Sequence, residues 1–261
     1  MNRFVLSLAI LWTACGPRTA PTKAPKPAKN PTADQLFEHQ IALAGGVNAV
    51  ESIRNLVSTG AMERKAEGVT MPIVTVQVAP NRMHQTAELQ GLGQFIEAYD
   101  GETAWSLNPI TGPAIKDGAE LAQTRRLADI HAMLHYAEHY PSRTLVGPIE
   151  FEGTPCWQVD ATTDDGQARS FFFNRENGYL RGEKLEFISE MGALPTVISH
   201  LAYERFQGFP VATRQVTHLG NIEIVVTTSD VRYNVPEDNL PDFAPPPAVK
   251  ALMDELNALP E

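Results

Sequence analysis

The sequence predicts an α+β fold: one large, curved antiparallel β-sheet, a half-barrel of roughly ten or eleven strands, with a few helices covering its concave face. Three observations lead there. Strand-type alternation runs from Leu56 to Tyr233, punctuated by turn residues at the short, regular spacing of a meander. Helical periodicity is confined to the two ends of the body and one interruption in the middle. Large aromatics fall on the strands, so one sheet face has to curl and be covered.

Residues 1–15 stand apart from this body as a signal peptide. Arg3 gives a positive start, Phe4 to Trp12 an apolar run too short to span a bilayer, and Thr13-Ala14 a small-residue cleavage site before Cys15. WTAC resembles a bacterial lipobox, with Trp12 where Leu is usual, so Cys15 is expected to carry lipid and anchor the chain to a membrane. The competing reading is an ordinary export signal with a coincidental cysteine. Residues 16–32, GPRTAPTKAPKPAKNPT, form a Pro- and Lys-rich tether of extended character, charged only by Arg18, Lys23, Lys26 and Lys29.

Residues 33–243 make up the body. Leu36, Phe37, Ile41 and Ala44 recur at helical spacing until Gly45-Gly46 breaks the helix. A second short helical turn, Val47 to Arg54, leads into strands at Leu56–Met62, Thr70–Ala79 and Arg82–Leu89. The hairpin from Gln94 to Gly112 comes next. Phe95, Glu97 and Tyr99 alternate with Ile96 and Ala98, Asp100-Gly101 supplies the turn, and Thr103–Leu107 resumes the alternation. Asn108-Pro109 ends it, because proline brings no N–H to a ladder. Tyr99 and Trp105 are expected to close one wall of a cavity, with Pro109 to Pro113 carrying the chain to the covering helices.

Asp117 to Tyr140 reads as one long helical stretch, stopped by Pro141. Strands then follow at Ser142–Val146, Glu150-Phe151, Pro155–Ala161, Arg169–Asn174, Leu180–Ser189, Val197–Phe206, Val211–His218 and Ile222–Tyr233. In residues 244–261, Pro245 to Pro247 set off a tail helix with Val249, Leu252, Met253 and Leu256 on one stripe.

Function classes are narrowed by what the residues lack. The chain has 31 acidic against 21 basic residues, and five of the basic ones (Arg3, Arg18, Lys23, Lys26, Lys29) precede the body. Such an acidic body offers no face for nucleic acid. There are two cysteines. With Cys15 lipidated, Cys156 has no intrachain partner, and its alternation with Trp157 and Val159 makes it a strand residue rather than a catalytic thiol. There is no GxSxG, no GxGxxG between strand and helix, and no phosphate-binding GKS or GKT. His131, His135 and His139 fall four apart and would stack on one helix face, where neutral imidazoles can share a metal. HAMLH lacks the glutamate of HExxH, so the stripe is read as surface, and neither a metal nor a cofactor is assigned. Phe95, Tyr99, Trp105, Trp157, Phe171 and Phe173 are the candidates to line a hydrophobic cavity; core filling is the plainer reading of each.

Four segments together resemble the LolA/LolB-like outer-membrane lipoprotein-sorting superfamily: AGGVNAVESIRNLVSTG (44–60), YDGETAWSLNPITGP (99–113), FFFNRENGYLRGEK (171–184) and YERFQGFPVATR (203–214). The resemblance implies a half-barrel whose concave side holds lipid or lipoprotein acyl chains in an aqueous periplasm. Soluble carriers of that superfamily lack an anchor, so the expected anchor implies the receptor type, and no residue here matches the carriers' gating arginine. Gly16 stands where an Asp would imply inner-membrane retention, which points to the outer membrane. The expected activity is therefore non-enzymatic binding of a hydrophobic ligand. Two readings compete: a sensor or scaffold of the same fold that binds envelope proteins, and a metal-dependent enzyme built on the three histidines.

Overall fold

The computed structural model describes residues 28–189 and 192–258; the expected leader, Cys15 and most of the tether lie outside the described residues. The body holds one antiparallel sheet of thirteen strands, not closed into a barrel. In chain order the elements are α1 (Ala33–Leu43), α2 (Val47–Glu51), β1 (Asn55–Arg64), β2 (Val69–Val78), β3 (Arg82–Leu89), β4 (Gly93–Tyr99), β5 (Ala104–Asn108), β6 (Gly112–Lys116), α3 (Gly118–Ala128), α4 (Tyr136–His139), β7 (Ser142–Phe151), β8 (Thr154–Thr162), β9 (Ala168–Asn174), β10 (Leu180–Ser189), β11 (Gly192–Phe206), β12 (Phe209–Leu219), β13 (Ile222–Tyr233) and α5 (Pro247–Asn257).

The strand order is β6-β5-β4-β3-β2-β1-β13-β12-β11-β10-β9-β8-β7. Two meanders meet where β1 pairs with β13, and a register shift between Thr59 and Gly60 marks that seam. Only glycine fits there, since a Cβ on Gly60 would stand 2.1 Å from the carbonyl oxygen of Thr227. The free edges, β6 and β7, are consecutive in sequence, so residues 117–141 must travel from one edge to the other. In a flat sheet those edges would be roughly 58 Å apart at the usual strand spacing. Curling brings them together: α3 touches β3, β4 and β5 as well as β10, which lies in the other meander. The curl therefore puts α3 and α4 over the concave face.

A capping box between Thr32 and Gln35 starts α1, and its Leu36 and Phe37 join Trp157, Val159, Phe171 and Phe173 in one core cluster. On the convex face, Phe172 stacks on Phe151 at 4.1 Å, with Cys156 buried beside them. None of the described helices is long and apolar enough to cross a membrane.

Three expectations are corrected. The alternation is expected to end at Asn108-Pro109, with Pro109 to Pro113 leading to the helices, but the chain turns back as β6; at a sheet edge only one side of a strand needs its N–H groups, so Pro113 is tolerated. β7 is one strand rather than two pieces, with a register shift between Leu145 and Gly147 absorbing the irregularity. The long central helix is broken. Asp129 turns to φ −67°, ψ 103° and its Oδ1 accepts the His131 N–H at 2.9 Å, so side chain replaces backbone as the hydrogen-bond partner. His131 consequently leaves the face expected to carry all three histidines.

Candidate functional site: a cavity under the helical cover

Between the helical cover and the concave face lies a cavity of about 520 Å³. Phe171 and Phe173 from β9 and Phe187 from β10 supply the sheet side, Phe37 from α1 one end, and Leu127, Met133 and Tyr136 the cover. The aromatics are mutually ordered. Phe37 stacks on Tyr136 at 5.0 Å and meets Phe171 and Phe173 edge-on at 5.1 and 5.3 Å. Leu127 and Met133 remain 49% and 40% exposed, which places them at the mouth.

One charged group interrupts this apolar wall. Arg169 shares the β9 face of Phe171 and Phe173, and its guanidinium grips the Glu183 carboxylate through Nε at 2.8 Å and through Nη2. His200 Nε2 lies 3.4 Å from the other Glu183 oxygen. Burial would push the Glu183 carboxyl up, but Arg169 and His200 outweigh it and hold it at about 2. The guanidinium also lies over the rings of Phe171 and Tyr140, at 5.3 and 5.8 Å. The pair is neutralised internally and leaves no free charge to repel an apolar ligand.

Polar contacts at its margins hold the cover in place. Gln123 Nε2 donates to the Ile188 carbonyl, and its Oε1 accepts the Ile188 N–H, both at 3.0 Å. Gln77 donates to the Leu127 carbonyl at 2.7 Å, satisfying one orphan acceptor at the end of α3. Arg126 reaches Asp164 and Asp165 at 2.8 and 2.9 Å. Past the end of α3, Asp129 Oδ2 accepts hydrogen bonds from His135 Nδ1 and His139 Nε2, each at 2.7 Å. Burial opposes the charge on Asp129, but these hydrogen bonds keep its carboxyl below the usual range. His131 points elsewhere, donating through Nε2 to the Ile53 carbonyl at 2.9 Å.

Of the six aromatics singled out from sequence, Phe171 and Phe173 line this cavity. Trp157 shares their concave face but packs beneath α1, with Arg175 lying 4.8 Å over its ring. Tyr99 is sealed under α3 with Met83, Ala104 and Ala128. Phe95 is half-buried, farther along β4 on the face of Tyr99. Trp105 lies on the opposite face of the sheet, under α5, and donates from Nε1 to the Phe243 carbonyl at 3.2 Å. The hairpin is thus not one wall carrying two aromatics. Sequence reasoning missed Phe37, Tyr136 and the Arg169–Glu183 pair. For the pair a signal existed: Arg169 alternates in phase with two phenylalanines, an odd place for a charge unless it is partnered. Cys156 is fully buried, and burial pushes its thiol up to about 11, which leaves it protonated and unreactive.

No family model and no curated protein matches the sequence. Solved structures with the same fold do exist. A DUF1329 family protein from Desulfovibrio piger aligns with TM-score 0.54 at 11% identity, over 78% of this chain and 93% of that one. A LolA superfamily protein from Nitrosomonas europaea aligns with TM-score 0.52 at 12% identity, over 83% and 99%. A putative outer-membrane lipoprotein-sorting protein domain from Vibrio parahaemolyticus aligns with TM-score 0.51 at 12% identity, over 78% and 94%. At such low identity the likeness establishes the fold, which is LolA/LolB-like.

Proposed function

Starting from a LolA/LolB-like half-barrel, we propose that this protein is a membrane-anchored binder of acyl chains, either of a lipid or of a lipoprotein, on the periplasmic side of the envelope. The observation that carries the reading is the aromatic-lined cavity of about 520 Å³, open at Leu127 and Met133. That volume is typical of sites that enclose most of a small apolar ligand. Each methylene removed from water is worth about 0.8 kcal/mol, so a chain of about ten carbons gains on the order of 8 kcal/mol before ordering costs. The names of two of the structures with this fold, a LolA superfamily protein and a putative lipoprotein-sorting domain, agree with the reading.

In this proposal, residues 1–14 are removed on export, Cys15 becomes the first residue and carries the lipid, and residues 16–32 let the body hang from the membrane, the outer one by the Gly16 criterion. Catalysis has no part in it. The test is organic extraction and mass spectrometry of the purified body, followed by titration with a fluorescent fatty acid. Co-purified acyl chains and saturable binding are expected; a delipidated body that leaves the probe in water would sink the reading. The anchor is tested separately, by metabolic labelling with a clickable palmitate. Cys15→Ser should abolish the label and move the protein to the soluble fraction.

A further inference from the structure

At the roof of the cavity, three donor atoms converge. Asp129 Oδ2, His135 Nδ1 and His139 Nε2 all lie within 4.8 Å of one another. We propose that they form a site for a divalent transition-metal ion of the zinc class. The chain arrangement explains the convergence. Asp129 ends α3, the turns after it reverse the chain, and α4 then presents His135 and His139, four apart, back toward that carboxylate. Asp129 is oriented for this role. Its Oδ1 is engaged by the His131 N–H at 2.9 Å, which leaves Oδ2 to face the two rings. A fixed carboxylate of this kind is what outer contacts do for known metal ligands.

The donor set decides the ion. Two imidazole nitrogens and one carboxylate oxygen suit zinc and its neighbours, whereas calcium and magnesium require shells of oxygen. Around a tetrahedral ion with ligands at about 2.0–2.1 Å, neighbouring donors stand roughly 3.3 Å apart. Each ring nitrogen now sits 2.7 Å from Oδ2 and has to retreat by about half an ångström, and the two nitrogens, within 4.8 Å of each other, have to settle at the same spacing. Each ring would also shift its proton from the ligating nitrogen to the other one. His135 is 42% exposed, which gives the ion a path in and leaves a fourth position for water, while the Asp129 side chain is only 9% exposed. Arg126, three residues before Asp129, is occupied by Asp164 and Asp165. An ion here would tie the end of α3 to α4 across Ala132 and Met133, both of which line the cavity. The site does not depend on the acyl-binding reading, and either can fail without the other.

The experiment is titration of the purified, chelator-treated protein with Zn²⁺ against a chromophoric competitor, alongside His135→Gln, His139→Gln and His131→Gln. Circular dichroism of each variant verifies folding. Wild type and His131→Gln should take up one equivalent, and His135→Gln and His139→Gln should bind at least about tenfold more weakly. The Co²⁺-loaded protein should show the intense visible absorption of a four-coordinate centre. No stoichiometric uptake by wild type overturns the proposal. So does retention of full affinity by folded His135→Gln, the more exposed of the two ligand variants, or loss of affinity in His131→Gln.

Discussion

The sheet is covered by helices on both faces, and the two covers behave differently. On the convex side, α5 drops Val249 to complete burial against Ala98 and Trp105. On the concave side, Tyr136 and Tyr140 at α4 pack against the Phe171–Phe173 cluster, yet a cavity remains between the cover and the sheet. The contrast lies in what fixes each helix. Small Ala98 allows α5 a close approach, and apolar contact holds it. The concave cover packs apolar side chains at its two ends, Leu121 and Ala128 over Tyr99 and Tyr136 on Phe37, and between them it is held by polar contacts from Gln123, Arg126 and Gln77. Cavities of this kind are kept open by where the hydrogen bonds are, and apolar packing alone would close them.

Trp105→Ala tests the sealed side and should have the largest effect. Losing a buried indole costs about 3–5 kcal/mol, read as a fall in the urea midpoint, while fatty-acid binding per folded molecule stays as in wild type. A parallel loss of affinity would mean that the two faces are coupled. Glu183→Gln tests the floor of the open side. It leaves Arg169 buried without its counter-charge and should cost about 3 kcal/mol at neutral pH. The sign with pH follows from the depressed carboxyl. Glu183 stabilises the fold fully above the unfolded carboxylate range, near pH 4.3, and that contribution is lost as pH falls toward about 2. Wild type should therefore lose stability more steeply than Glu183→Gln over that window, and matching slopes would reject the assignment. Gln123→Ala removes two rim hydrogen bonds and should cost about 1–2 kcal/mol. Hydrogen exchange in α3 should accelerate while α5 stays protected, and equal acceleration in both would break the contrast.

The local pattern made much of this fold readable. β3 has the bounds its alternation gives, Arg82–Leu89, and Leu180–Ser189 is β10. What escaped depends on partners distant in sequence. Pro113 argues against a strand until β6 is known to be an edge. The helical period through residues 117–140 is real, yet Asp129 spends its carboxylate on His131, His135 and His139 and breaks the helix. The hairpin is the sharpest case. Tyr99 pairs with Ala104 and Ala98 with Trp105, so the two aromatics project to opposite faces. Counting back from a four-residue turn would have shown it, because a one-residue change of register exchanges the faces. In the cavity, Phe171 and Phe173 were legible from strand composition. Glu183 was not, because its link to Arg169 needs the β9–β10 register.

The smallest expected change in stability separates the two covers most cleanly. Met133 sits at the mouth with 40% of its surface exposed, on the segment between α3 and α4 rather than inside either helix. Met133→Trp adds bulk where the space is empty, so no packed neighbour has to move. Stability should stay within about 0.5 kcal/mol of wild type, as for a surface change away from core and caps. If the cavity takes the acyl chain, an indole in its mouth displaces several methylenes. At about 0.8 kcal/mol each, losing two of them already weakens affinity by roughly tenfold. The matched change on the sealed side is Leu256→Trp on α5, also half-exposed, which should alter neither stability nor binding. Fatty-acid titration of the pair makes the comparison direct. A tenfold loss confined to Met133→Trp places the ligand under the propped cover, whereas equal affinities in the two variants would place it elsewhere.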